Sequence, residues 1–343
     1  MGNRKIFKLS VLMIALMVIV TGCATSNKDA SKDEVYENTT EVVENKNTST
    51  VEIEDIHGSV KVPVNPKNVV SLDNRTFETL SDWNIELVAV PKDVMPKELS
   101  YAKDEKVQNI GDHKEPNLEI IAAVNPELVI VGQRFSSYYE EIKALVPDAV
   151  VIDLSFDVSG ENGETGESLV KGLKNATISL GKIFDKSKDA EKLVADFDKS
   201  IEDAKNAYNG TDTIMSVVVS GGEIGFSAPI SGRVWGPMYE LFGWKSALEV
   251  EGSTSDHKGD DISVEAIAES NPDWIFVLDR DAATSSSEDA VPAQDVIDNS
   301  PALKNTRAIS EGRILYAPKD TYTNESIQTY IELFENMSNS LKK

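Results

Sequence analysis

The chain has 343 residues, 40% hydrophobic and 27% charged, which gives room for two domains of ordinary size and is typical of globular proteins. Its 58 acidic residues outnumber its 34 basic residues, so the formal net charge is −24. This balance argues against nucleic acid as a partner, because binding to phosphate groups requires a basic surface.

The first residues are predicted to direct export. Basic residues precede the apolar stretch 11–20, which is too short to span a bilayer as a mature helix, so residues 1–22 are interpreted as a signal peptide. Cys23 is the only cysteine, which excludes an internal disulfide. The segment resembles a bacterial lipoprotein signal, in which this cysteine is lipidated, although Val20 and Thr21 depart from its commonest form. A plain secretory signal with an incidental cysteine is the alternative.

Residues 23–50 are predicted to be a flexible lipoprotein tether. The segment is rich in Ser, Thr, Asn, Glu and Lys and has no apolar periodicity. Such a composition buries too little apolar surface to offset the entropy lost on ordering the chain. The folded body is therefore expected to stand away from the membrane.

The next part of the chain alternates strand and helix patterns. Residues 51–63 alternate apolar and polar side chains around His57-Gly58, which indicates a hairpin with His57 as a turn residue. A helix is predicted over 75–83. Short apolar runs bounded by turn residues predict five strands, at 68–72, 87–91, 107–111, 128–131 and 149–153. Strands that alternate with helices indicate a parallel sheet covered on both faces.

One sequence unit occurs twice without a gap, as 118–134 and 264–280. Each copy reads as a short helix, an Asn-Pro pair that disfavours the α conformation, a buried strand and a final arginine. The glutamates of the two helices are Glu119 and Glu265, and the final arginines are Arg134 and Arg280. This repeat predicts two halves that are built alike.

The segment between the copies reads as helix. Residues 168–184 and 187–208 carry apolar residues at three- and four-residue spacing, and Asn209-Gly210 supplies a stop signal. We interpret 187–208 as a spine that joins the halves. The second half then predicts a strand from Thr213, a hairpin or loop through 221–232, a helix over 233–242, the repeat unit, a strand over 313–317 and a closing helix over 324–342.

The predicted fold class is α/β. Two similar lobes with mainly parallel central sheets are joined by a long spine helix, with a ligand cleft between the lobes. The N-terminal lobe is placed at 51–166, the helical segment with the spine at 167–210, and the C-terminal lobe at 211–343.

Three arginines are the main candidates for ligand binding. Arg134, Arg233 and Arg280 fall in turns that the pattern places beside the cleft, and open α/β sheets bind ligands at the carboxyl ends of their strands. A guanidinium group stays charged and presents a fixed fork of donors, which suits an anionic ligand. The alternative is that Arg134 and Arg280 are ordinary solvated loop arginines.

Two further residues, His257 and Tyr322, carry donors that ferric iron accepts. Neither has a partner at metal-ligand spacing, so a surface histidine and a packed tyrosine remain open alternatives. The sequence contains no nucleophile elbow, phosphate loop, dinucleotide-binding glycine motif or zinc-protease motif, and we therefore predict that the protein is not an enzyme.

From residue 51 onward, the two lobes, the spine and the paired Glu-x-Ile-Ala and Asn-Pro units resemble the substrate-binding lipoproteins of ABC importers for ferric siderophores, haem and cobalamin. Within that family, the chain is most similar to the subgroup that binds ferric catecholate siderophores. The resemblance implies that Arg134, Arg233 and Arg280 face the anionic complex. It also implies that Tyr322 and His257 complete the iron coordination when the siderophore offers only four donors, although His257 matches only if one residue has been inserted.

The same resemblance implies the partners and the location. Glu119 and Glu265 would dock into arginine pockets of the ABC permease, although a glutamate that favours the helix dipole explains their positions equally well. The protein would be a monomer, lipid-anchored to the outer face of the cytoplasmic membrane. It would have no cofactor of its own and would carry ferric iron as a siderophore complex. The alternatives are a receptor for haem, cobalamin or a hydroxamate siderophore, or a surface adhesion lipoprotein.

Overall fold

The computed structural model describes residues 49–159, 164–256, 258–284 and 290–342. The predicted signal peptide at 1–22, the lipidation site Cys23, the tether up to residue 48 and the candidate ligand His257 lie outside the described residues. The folded body begins at its first strand, Thr50–Asp55, so the last predicted tether residue already belongs to it.

The first part of the chain forms a hairpin and a five-stranded sheet. The strands are β1 Thr50–Asp55, β2 Gly58–Pro63, β3 Val69–Ser71, β4 Leu87–Val90, β5 Gln108–Asn109, β6 Leu128–Val131 and β7 Val150–Asp153. The helices are α1 Phe77–Asp82, α2 Ser100–Lys103, α3 Leu118–Ala123 and α4 Tyr139–Leu145, with 3₁₀ turns at Lys92–Val94 and Ser136–Tyr138. The sheet order is β5-β4-β3-β6-β7 and every pair is parallel, as predicted.

Strands β1 and β2 pair antiparallel, which confirms the hairpin. Because Asp55 lies opposite Gly58, the turn consists of Ile56 and His57, one residue earlier than predicted. The ring of His57 stacks on Tyr139 with 3.9 Å between centroids.

The rest of the chain contains two long helices and a second sheet. The helices are α5 Thr165–Ile183, α6 Ser187–Ala207, α7 Gly236–Phe242, α8 Val264–Glu269, α9 Arg280–Thr284, α10 Ala293–Asp298, α11 Arg307–Ser310 and α12 Ile327–Leu341, with a 3₁₀ turn at Leu303–Asn305. The strands are β8 Thr213–Ser220, β9 Glu223–Phe226, β10 Lys245–Ser246, β11 Trp274–Asp279 and β12 Ile314–Tyr316. The parallel order is β10-β8-β11-β12, and β9 pairs antiparallel with β8.

Each sheet is covered on both faces, as the apolar runs predicted. In β6, Leu128 and Ile130 enter one hydrophobic cluster, whereas Val129 and Val131 enter another on the opposite face. All four side chains are fully buried. The second sheet has the same arrangement, because alternate residues of β11 enter two separate clusters. We call the part built on the first sheet the first lobe and the part built on the second sheet the second lobe.

The sequence repeat corresponds to a structural repeat. The repeat strand β6 lies between β3 and β7, and its counterpart β11 lies between β8 and β12. The asparagines of the two Asn-Pro pairs adopt the same left-handed conformation, with φ of 46° at Asn125 and 45° at Asn271. Asparagine is among the few residues that accept this region readily. The residue before each proline thus avoids the right-handed α region, as predicted, but it is left-handed and not in the extended conformation that proline favours for its predecessor.

The helix whose side chains enter both lobes is α5, whereas the sequence interpretation assigned the spine to 187–208. Leu169 and Leu173 belong to the cluster on the second sheet, while Leu180 and Ile183 belong to a cluster on the first sheet. In α6, Phe197 enters only the second-sheet cluster, and this helix packs along α12. Both stretches are amphipathic, and periodicity shows that one helix face is buried without showing which sheet it meets. Within the described residues, no helix is both long and apolar enough to cross a membrane.

Candidate ligand-binding site

A cavity of about 410 Å³ lies where the two lobes meet, and we call it the arginine cavity. Its lining includes Lys97, His113 and Arg134 from the first lobe and Arg233, Arg280 and Tyr322 from the second. The structure thus brings together four of the five residues that the sequence proposed for ligand binding. The fifth, His257, lies outside the described residues.

Arg134 and Arg233 reach the cavity from loops, and Arg280 reaches it from the first residue of α9. Arg134 follows β6, Arg280 directly follows β11, and Arg233 lies in the loop between β9 and α7. The Nη2 atoms of Arg134 and Arg233 both donate to the carbonyl oxygen of Tyr322, each at 3.2 Å. Nη1 of Arg280 donates to Oγ of Ser220 at 3.2 Å. A backbone oxygen therefore accepts from Arg134 and Arg233, and a hydroxyl oxygen accepts from Arg280.

The ring of Tyr322 also contacts two of the arginines. It is only 5% exposed, and its centroid lies 4.5 Å from Cζ of Arg233 and 5.3 Å from Cζ of Arg280. An aromatic face attracts cations, so one ring holds two guanidinium groups close together despite their mutual repulsion. The sequence proposed Tyr322 as an iron donor, and the structure adds this packing role.

Arg75 and Glu325 complete the site, although the sequence interpretation did not single them out. Both are 4% exposed. Oε2 of Glu325 accepts from Nη2 of Arg75 at 3.3 Å, and Oε1 accepts a short hydrogen bond from Nη2 of Arg233. Burial tends to raise the pKa of Glu325, but the nearby arginines outweigh it and hold this pKa below its usual value. The carboxylate is therefore ionised in the folded protein.

Charge and burial also lower the pKa values of Arg134 and His113. Burial, together with the neighbouring Arg233, lowers the pKa of Arg134. Burial followed by the charge of Arg134 lowers the pKa of His113, which keeps that imidazole neutral at neutral pH. Arg75 follows β3 and His113 follows β5, so the rule that located Arg134 could also have found both residues.

A second cavity, of about 290 Å³, adjoins the arginine cavity and shares Gln133 and Arg233 with it. We call it the small cavity. Its lining includes Arg75, Glu325 and Phe156. Arg75 is fixed there, with Cζ 3.9 Å from the centroid of the Phe156 ring and Nη1 3.5 Å from the carbonyl oxygen of that residue.

Asp73 is a buried carboxyl group behind the site. It packs against Gly132, where any side chain would overlap it, and its Oδ1 accepts from the backbone N–H of Arg75 at 3.1 Å. Burial raises its pKa from 3.8 to about 7, although the charge of Arg75 partly offsets this effect. The folded protein therefore keeps the proton over a pH range in which the unfolded chain has lost it.

Asp73→Asn is expected to stabilise the protein more at pH 8 than at pH 5. The unfolded chain loses the Asp73 proton above pH 3.8, whereas the folded protein keeps it up to about pH 7. The stability of the wild-type protein therefore falls as the pH rises through this range, whereas asparagine does not titrate. The gain in unfolding free energy should differ by about 3 kcal/mol between the two pH values. Urea denaturation at both pH values measures it, with the exposed Asp148→Asn as the control. An equal effect of Asp73→Asn at both pH values would contradict the prediction.

Among the described residues there is no group of three or more His, Cys, Asp or Glu side chains that could hold a metal ion. Glu119 and Glu265, the proposed docking residues, are exposed and lie in the first turns of α3 and α8. Each of these helices returns through a short turn into its strand. Arg134 follows the first of these strands and Arg280 follows the second.

Comparison with known proteins agrees with this architecture. The profile of the periplasmic binding protein family matches residues 69–321. The chain belongs to this family. It is 28% identical to the petrobactin-binding protein YclQ of Bacillus subtilis over 98% of this chain and 99% of that protein. It is 27% identical to the ferric-anguibactin-binding protein FatB of Vibrio anguillarum over 77% of this chain and 79% of that protein.

Solved structures of family members share the fold. The crystal structure of YclQ matches with a TM-score of 0.70 and 26% identity over 86% of this chain and 99% of the other. That of the periplasmic catecholate-siderophore binding protein VctP from Vibrio cholerae matches with a TM-score of 0.69 and 27% identity over the same shares. The two-lobed α/β fold of the sequence interpretation is thereby confirmed.

Proposed function

We propose that the protein is an extracytoplasmic solute-binding lipoprotein that captures a ferric siderophore of the catecholate type and delivers it to the permease of an ABC importer. The observation that carries this proposal is the convergence of Arg134, Arg233 and Arg280 from both lobes around Tyr322 at one cavity. Relatives named for binding petrobactin, ferric anguibactin and catecholate siderophores support it.

Charge favours a catecholate over a hydroxamate ligand. Each catecholate group carries two negative charges, so its ferric complexes are anions, whereas a ferric complex of three hydroxamates is neutral. Guanidinium groups held in a partly buried cavity bind anions strongly, because charge-assisted hydrogen bonds are stronger than hydrogen bonds between neutral groups. The protein itself supplies no cofactor in this proposal, and ferric iron enters as part of the ligand.

The direct test is a titration of the purified protein with a ferric bis-catecholamide, a ferric trihydroxamate and haem. The fluorescence of the buried Trp235 and Trp244 reports binding. We expect quenching by the ferric bis-catecholamide at micromolar concentrations or below, and much weaker binding of the neutral trihydroxamate. Quenching by haem alone would contradict the proposal, and no small-ligand binding would favour a surface adhesion role.

Tyr322→Phe tests the proposed iron coordination. The substitution keeps the ring that Arg233 and Arg280 contact but removes the phenol oxygen. A bis-catecholamide leaves two iron positions for protein donors, which Tyr322 and His257 are proposed to fill. We expect the charge-transfer band of the bound bis-catecholamide complex to shift and its affinity to fall about tenfold, while a tris-catecholamide complex is unaffected. Tyr101→Phe, in the first lobe, is the control, and an unchanged band would contradict the coordination.

The remaining parts of the proposal concern delivery. Cys23 is proposed as the lipidated residue that ties the protein to the outer face of the cytoplasmic membrane. Glu119 and Glu265 are proposed to contact the permease, and their exposure in the first turns of equivalent helices, one on each lobe, supports this. The receptor is proposed to act as a monomer.

A further inference from the structure

Glu325 lies where the two lobes meet and pairs with an arginine from each. It sits in the loop before α12 and is 4% exposed. Arg75, which follows β3 in the first lobe, donates to one carboxylate oxygen, and Arg233 of the second lobe donates to the other. A buried carboxylate thus neutralises positive charge inside the proposed binding cleft.

The charges are distributed unevenly between the two cavities. The charged residues that line the arginine cavity are Arg134, Arg233, Arg280, Lys97 and Lys114, with Asp93 as the acidic residue. In the small cavity, Arg75 and Arg233 face Glu325 and Asp157. Arg233 lines both cavities. The negative charge of Glu325 in the small cavity therefore also reduces the positive charge that Arg233 presents to the arginine cavity.

We propose that Glu325 sets the ligand charge that the cleft prefers, by cancelling part of the positive charge that Arg75 and Arg233 contribute. This inference rests on the proposed function, because it assumes an anionic ferric complex in the arginine cavity. Glu325 is a positioning and specificity-determining residue, which acts on the ligand through its charge and through the Arg233 guanidinium group that it holds.

The charge of the ligand provides the readout. The Coulomb energy between Glu325 and a bound complex is proportional to the charge of that complex. Removal of the carboxylate charge therefore favours a trianionic complex more than a monoanionic one. A purely structural role would instead weaken both complexes by a similar factor, since both depend on the position of Arg233. The ratio of the two affinities separates these effects.

The experiment measures the affinities of the purified wild-type protein and Glu325→Gln for two probes at low ionic strength. The probes are a ferric bis-catecholamide, which is monoanionic, and a ferric tris-catecholamide, which is trianionic. The expected result is that Glu325→Gln raises the preference for the trianionic complex by roughly tenfold or more, and that added salt reduces this change. Glutamine keeps the shape of the side chain and an oxygen that accepts from Arg233.

Two further variants distinguish an effect of charge from a folding defect. Arg75→Gln removes a positive charge from the same pair and is expected to shift the preference in the opposite direction, toward the monoanionic complex. Glu78→Gln is the control, because Glu78 is a partly buried carboxylate that accepts hydrogen bonds from the neutral groups of Asn324 and Ser326 in this loop. It should change the preference much less than Glu325→Gln does, because Glu78 lines neither cavity.

The outcomes are distinguishable. If the wild-type protein binds both probes and Glu325→Gln lowers both affinities by the same factor, Glu325 has only a structural role and the inference is wrong. The inference is also wrong if both Glu325→Gln and Arg75→Gln leave the preference between the two complexes unchanged. If the wild-type protein binds neither probe, the proposed function itself fails and the inference fails with it.

Discussion

Simultaneous replacement of Arg134, Arg233 and Arg280 with glutamine is expected to abolish measurable binding of a ferric catecholate complex. A charge-assisted hydrogen bond contributes about 1.5–3 kcal/mol net, whereas micromolar to nanomolar binding corresponds to roughly 8–12 kcal/mol. Loss of one arginine should therefore weaken binding about ten- to a hundredfold. Loss of all three removes most of the binding free energy.

Tryptophan fluorescence titration of each single variant and of the triple variant measures this effect. Arg307→Gln is the matched control, because Arg307 is half exposed and forms ion pairs with Asp273 and Glu311 instead of lining the cavity. Thermal unfolding of every variant checks that the lobes remain folded. Affinity of the triple variant within a few-fold of the wild type would show that the anion binds elsewhere.

The second large effect is expected for uptake. Glu119→Lys combined with Glu265→Lys should stop import of the ferric siderophore into cells while leaving the affinity of the purified protein unchanged. Both side chains are exposed in the first turns of equivalent helices, one on each lobe, and neither lines the arginine cavity. Charge reversal would place lysines against the basic pockets that the permease is expected to present.

Radioactive iron uptake by cells that express each variant is the measurement. Glu191→Lys combined with Glu202→Lys, both exposed on α6, makes the same charge change elsewhere and should leave uptake intact. If these glutamates only favour the helix dipole, the substitutions will cost about 0.3–1 kcal/mol of stability each and uptake will continue. A fall in ligand affinity would show that the docking assignment is wrong.

The amino-acid sequence by itself determined most of the strands and their class, although the short strand β10 was not predicted. The run Leu128–Val131 is apolar at every position, and such a run without alternation is buried on both faces, as the structure has it. The gapless repeat fixed the equivalence of the two lobes, and the rule for strand carboxyl ends located Arg134 and Arg280. These features depend on local patterns that a linear chain displays directly.

Tertiary structure alone decided which helix enters both lobes and which charges meet. The amphipathic patterns of α5 and α6 are equivalent in kind, and only packing shows that α5 contributes Leu169 to one core and Leu180 to the other. Arg75 and Glu325 are far apart in the chain, and in a sequence with many carboxylates no local pattern pairs them. The two residues meet because the loop before α12 packs against the end of β3. Both side chains are buried, so water screens the attraction between their charges only weakly.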